Sequence, residues 1–135
     1  MIILNDQFPR NIYRGTGLAF NFEEGSLSLS REILNNNEDK LYKFYEIVFI
    51  YLPLEHSEKI EDQDLCVKLF KEMEGEYQNE PFLSKTAKQF TQFADLHRKI
   101  IADFGRFPHR NKVLGRECTE KEKEYLENGG NRFGQ

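Results

Sequence analysis

The stretch LSKTAKQFTQFADLHRKIIADF, residues 83–104, decides how this chain folds. Leu83, Ala87, Phe90, Ala94, His97, Ile101 and Phe104 recur in alternating steps of four and three, which stacks them on one helix face and predicts a helix over about residues 83–103. The same spacing turns His97 toward the core. Working backward, Cys66, Leu69, Phe70, Met73 and Tyr77 share a face of a helix expected from Lys59 to Tyr77, with Gly75 weakening its last turn and Asn79-Glu80-Pro81 as the connector. From Leu41 to Leu52, the residues Leu41, Phe44, Tyr45, Val48, Phe49 and Leu52 form another helical stripe. A strand competes over the β-branched run Ile47 to Leu52, but nothing nearby offers it a partner. Pro53, lacking a backbone N–H, is expected to end or kink this helix.

A weaker helix is expected over Glu23 to Asn36, through Leu27, Arg31 and Leu34. At the other end, Thr119 and Glu122 fit the T-x-x-E capping box, in which each side chain satisfies a free N–H at a helix start, and Gly129 fits the residue just past the helix end. A terminal helix over Glu120 to Asn128 follows. Every element is helical, so the expectation is an all-α chain, residues 1–135 forming a single domain of packed antiparallel helical hairpins.

Composition supports a folded chain. At 135 residues, with 39% hydrophobic residues, twelve Phe and six Tyr, it can bury a core without disulfides or a structural metal. A formal charge of −4 argues against general nucleic-acid binding, which rests on a basic face. Cys66 and Cys118 lie far apart, outside any C-x-x-C pattern, and are expected as free thiols in a reducing compartment. Met1-Ile2-Ile3-Leu4 is too short an apolar run for a signal peptide, and no segment suits a membrane span, so a cytoplasmic protein is expected.

The polar motifs are unevenly placed. Phe8-Pro9-Arg10-Asn11 is echoed by Phe107-Pro108-His109-Arg110-Asn111, with His109 as an extra residue. Because proline disfavours helix in the residue before it, both copies are expected to leave a helix end in a turn, as corners of stacked hairpins would. Five of the eight arginines, Arg10, Arg14, Arg106, Arg110 and Arg116, fall in or beside these segments, where Asp6 is the lone acid. A guanidinium presents a planar fork of donors to carboxylate or phosphate. The alternative is a structural network in which the arginines pair with Glu55, Glu58 and Asp103. All three histidines lie in or beside distinctive segments: His56 within Pro53-Leu54-Glu55-His56-Ser57-Glu58, His97 on its helix and His109 in the second echo. Imidazole titrates near neutrality, and an adjacent carboxylate can orient it. No H-E-x-x-H, P-loop, dinucleotide or G-x-S-x-G motif occurs, so neither a metal nor a cofactor is expected.

The string DQFPRNIYRGT (residues 6–16), then LPLEHSE (52–58) with Asp62-Gln63, FGRFPHRN (104–111), and Leu114-Gly115-Arg116 with Cys118-Thr119-Glu120-Lys121-Glu122 resembles the bacterial domain of unknown function 924 family. The resemblance implies an all-helical fold akin to tetratricopeptide-repeat proteins and no established activity. Family members begin with further helices, of which Met1 to Leu4 would be only the end, and Asn5 stands where a leucine is general. Uncovered apolar surface at this end is therefore expected to be repacked or buried in a homodimer.

Three functions compete on these observations. A binding module would present a groove in which Arg10, Asn11, Arg14, Glu55, His56, Glu58, His97, Arg106, His109, Arg110, Asn111 and Arg116 receive a small anionic molecule or an acidic peptide. An enzyme would use Glu55 or Glu58 to orient His56 or His97 as general base, beside arginines holding an anionic substrate. A purely structural network would lock helices together through the same side chains.

Overall fold

The computed structural model describes residues 1–134. Six α-helices follow one another: α1 (Ile2–Ile12), α2 (Glu23–Asn35), α3 (Phe44–His56), α4 (Ile60–Glu76), α5 (Pro81–Phe104) and α6 (Glu120–Glu127). Short 3₁₀ turns occupy Gly17–Phe20, Glu38–Leu41 and Pro108–Arg110, and no strand occurs among the described residues. Nor is any described helix long and apolar enough to cross a membrane.

The face read from residues 83–104 is the face α5 buries. Ala87 and Ala94 are fully buried, as are Cys66 and Phe70 on α4, and these small α5 residues let the two antiparallel helices lie close along their length. Ile47, Val48, Tyr51 and Leu54 of α3 complete this core. Within it Tyr51 meets Phe70 edge-on at 5.4 Å between ring centroids, and Phe70 stacks on Phe90 at 5.6 Å. A smaller cluster of Ile100, Ile101 and Phe107 pins the segment after α5 to that helix's end. Gly105 makes the turn between them: it ends α5 at φ 72°, where a side chain would be strained.

Three local expectations are corrected by the structure. Of the two outcomes expected at Pro53, an end to the helix is overturned: α3 continues to His56. The final turn is held from outside, because the buried Gln63 amide donates to Glu55 O at 2.6 Å and to Ser57 O at 2.7 Å, while Arg110 Nη2 donates to His56 O at 3.0 Å. The α3 stripe is also rotated: Leu41 lies in a 3₁₀ turn, 83% exposed, and Tyr45 is exposed, while Ile47, Ile50, Tyr51 and Leu54 point inward. Finally, the first Phe-Pro element is not a corner. Pro9 lies buried inside α1, and the Asp6–Arg10 pair, Oδ1 to Nε at 3.1 Å, bridges one helical turn across it. The second copy does leave a helix end, so the two echoes are not structurally equivalent.

Met1, Ile3, Leu4 and Ile12 are exposed, and Ile2 and Ile3 join Ile33, Tyr42, Tyr45 and Phe49 around a groove of about 470 Å³.

Candidate functional site

The echoed segments meet the ends of α3 and α5 around a pocket of about 180 Å³, lined by Gln7, Arg10, Asn11 and Arg14 from the first, His56 and His97 from the two helices, and Phe107, His109, Arg110 and Phe133 from the C-terminal part. Close packing brings the echoes together: a methyl group added at Gly17, just after the first, would lie 2.8 Å from Val113 O, just after the second.

At the centre is a pair the sequence did not reveal. His56 Nδ1 lies 2.8 Å from Oδ1 of Asp6, which is almost wholly buried and also accepts from Arg10 Nε and, at 2.6 Å, from Gln7 Nε2. Burial opposes ionisation of Asp6, but His56 and Arg10 outweigh it and hold the carboxyl far below the usual carboxylate range. An ionised Asp6 can only accept, so His56 carries its proton on Nδ1 and leaves the Nε2 lone pair unused. His97 arrives at the same tautomer by another route. Its Nδ1 donates to Phe93 O, one turn earlier on α5, at 2.8 Å, again freeing Nε2.

All three imidazoles are held neutral. Burial, then the Arg10 charge, lowers His56 to about 4; burial lowers His97 to about 3; burial, then Arg110, lowers His109 to about 4. Phe133 stacks on the His97 ring at 3.8 Å between centroids and meets His109 edge-on, forming one wall.

Arg110 is wedged between the Phe20 and Phe107 rings, 4.5 and 4.6 Å from their centroids. It shares Glu23 with Arg10, and burial lowers its pKa to about 10. Its Nε, like His109 Nδ1, is buried without a partner. Arg14 is the least committed cation: exposed, it donates to Asn11 Oδ1 at 3.1 Å and pairs with no carboxylate among the described residues.

The structure therefore divides the residues singled out in the sequence. Arg10, Asn11, Arg14, His56, His97, His109 and Arg110 line one pocket. Arg106, Asn111, Arg116 and Glu58 instead lock the second Phe-Pro corner. Arg106 forks onto Glu122 at 2.7 and 2.8 Å, Asn111 donates to Glu122 Oε2 at 3.2 Å, and Arg116 forks onto Glu58 at 2.7 and 2.9 Å, while Glu58 also receives the Phe107 N–H. Glu55 belongs to neither group. It is buried behind His97, its Oε1 unpartnered and 3.8 Å from His97 Nδ1, too far for a hydrogen bond. Burial, then the Asp6 charge, pushes it up to about 8, so it is a protonated carboxyl at neutral pH rather than an ion-pair partner.

The arginines' partners were also read differently from the sequence: Glu23, Asp6 and Glu122 do most of the pairing, and Asp103 contributes only a backbone carbonyl, to Lys121. Asp6 carried one local signal, its four-residue spacing to Arg10. Glu23 and Phe133 carried none. No group of three or more His, Cys, Asp or Glu among the described residues is placed to hold a metal ion.

The model of the family described as "Bacterial protein of unknown function (DUF924)" matches residues 1–130. No curated protein matches the sequence. Among solved structures, a protein of unknown function from Agrobacterium tumefaciens superposes with a TM-score of 0.78 at 35% identity over 95% of this chain. The chain spans 65% of the length of that structure.

Proposed function

We infer for this chain, which belongs to the DUF924 family of bacterial proteins of unknown function, that it binds a small anion in the pocket between the two Phe-Pro segments. The observation that carries this is the surplus of guanidinium donors there. Arg14 pairs with no described carboxylate, and Arg10 spends Nε on Asp6 and one terminal nitrogen on Glu23, which leaves its other terminal nitrogen uncommitted among the described residues. A carboxylate or phosphate oxygen would meet these donors. At about 180 Å³ the space falls below the roughly 300–1,000 Å³ of drug-sized pockets, which favours a metabolite of a few carbons over an acidic peptide.

Arg14 gives the clean test, since it is exposed and, among the described residues, bonded only to Asn11. R14M should weaken binding of inorganic phosphate or acetate about ten-fold, roughly 1.4 kcal/mol, with the melting temperature unchanged. Calorimetric titration at low ionic strength measures it, because salt screens an exposed charge. Wild-type protein that takes up neither anion at millimolar concentration would overturn the reading.

An acid–base enzyme is the second reading, and the Asp6–His56 pair favours it. A neutral imidazole oriented by a buried carboxylate, with Nε2 free beside a cationic anchor, is arranged as a general base. Turnover of a small anionic ester that is lost in H56N, with anion affinity retained, would select this reading over passive binding.

A further inference from the structure

The pocket wall carries two kinds of unused group, and together they specify more than a charge. The donors come from Arg10 and Arg14. The acceptors come from the imidazoles. His56 and His97 each commit Nδ1–H to a protein oxygen, Asp6 Oδ1 and Phe93 O, both at 2.8 Å. Their Nε2 atoms have no hydrogen-bond partner among the described residues and are not among the sealed, unsatisfied atoms, and both rings line the pocket. The rings lie 6.2 Å apart between centroids, close enough for neighbouring atoms of one small molecule to reach both lone pairs. A simple anion has no hydrogen to give them, and two acceptors meeting an anion's oxygens would repel it. A cation would suit the lone pairs, but Arg10, Arg14 and Arg110 in the same wall oppose it, and no third ligand is placed to complete a site.

We propose that the pocket takes a small hydroxy acid, whose carboxylate or phosphate lies against Arg10 and Arg14 and whose hydroxyl groups donate to Nε2 of His56 and His97. Phe133, stacked on His97, covers the apolar edge of such a ligand and excludes water from the imidazole side. The assignment rests on the anion-binding reading above and adds to it the requirement for hydroxyl donors.

The test titrates the whole chain with two matched pairs, glycerate against propionate and glycerol 3-phosphate against methyl phosphate. In at least one pair the hydroxylated member should bind about ten-fold or more tightly, because a site built to receive hydroxyl hydrogens discriminates against an analogue lacking them. The pair showing the preference distinguishes carboxylate from phosphate. The variants H56N and H97N locate the acceptors. Asparagine can place its amide N–H where Nδ1–H stood, keeping the bond to Asp6 or to Phe93 O, while nothing replaces Nε2. In each variant the preference should shrink to within about two-fold. Equal affinities within both pairs in the wild type would overturn the hydroxy-acid assignment and leave the anion pocket standing. A preference that survives both substitutions would overturn the role given to the imidazoles. Failure of all four compounds to bind would overturn this proposal and the anion pocket together.

Discussion

The stability of this protein should peak near pH 6.5 and fall on both sides, with the acid limb the steeper. In the unfolded chain each imidazole takes up a proton below about pH 6.5, whereas the folded chain refuses protons at His56 and His109 down to about pH 4 and at His97 down to about 3. Across that window the unfolded state binds more protons, so stability is lost as pH falls. Asp6 extends the loss further into acid, because its carboxyl, held low in the fold, must finally protonate and abandon His56 and Arg10. Glu55 acts in the opposite sense. Its folded pKa is raised from 4.5 to about 8, so the folded state is the one that holds the extra proton, and stability declines as pH rises through that range. Glu23, also raised by burial, adds to the same limb. Between pH 4.5 and 6.5 three histidines outweigh these carboxyls; above 6.5 only the carboxyls still count. Each proton changes the stability by about 1.4 kcal/mol per pH unit, so the acid limb amounts to several kcal/mol. E55Q separates the limbs, since glutamine has the shape of the protonated carboxyl and cannot ionise. Unfolding free energies from denaturant titration should exceed the wild type at pH 8 by on the order of a few kcal/mol for E55Q, and between pH 4.5 and 6.5 the variant should lose stability more steeply as pH falls, because the opposing carboxyl is gone. A wild-type profile flat from pH 5 to 8 would show that these groups are not buried in solution.

The pocket's most informative pair was invisible in the sequence because Asp6 and His56 lie fifty positions apart and nothing local marks them as partners. His97 facing inward was legible, since a stripe in steps of three and four fixes which way a helix face points. So was the box of Thr119 and Glu122, whose reciprocal bonds of 2.8 and 3.2 Å close within four residues. What failed was inference from proline. Pro9 and Pro53 both sit inside helices, where each removes one backbone bond, but the flanking turns are held by contacts from elsewhere: Asp6 to Arg10 across the first, Gln63 and Arg110 onto the carbonyls after the second. Tertiary contacts overrode a local preference in both cases. The arginine cluster likewise read as one unit in the sequence, although Arg10, Arg14 and Arg110 face the pocket while Arg106 and Arg116 hold a corner.

That division makes its strongest claim at Glu122, a carboxylate only 2% exposed near the chain's C-terminal end. It accepts both donors of the Arg106 fork, the Asn111 amide and the Thr119 N–H, and these bonds, Arg106 first, draw its pKa down to about 2 despite the cost of burial. Deleting it takes from the buried Asn111 amide its carboxylate acceptor, leaving Cys118 Sγ at 3.3 Å, opens the side-chain half of the α6 capping box and leaves Arg106 only Glu117 O among the described residues. E122A should therefore destabilise the fold by about 2–3 kcal/mol, the scale of losing charge-assisted hydrogen bonds to a buried carboxylate, and lower the melting temperature by roughly 10 °C. Anion affinity measured well below that melting temperature should not change, because among the described residues Glu122 hydrogen-bonds to none that line the pocket. R14M should give the reverse pattern, with affinity lost and melting preserved. If E122A instead weakened anion binding as much as R14M does, the corner and the pocket would be one coupled unit. Arg106, Asn111 and Arg116 would then support the ligand through the position they give Arg110 and His109.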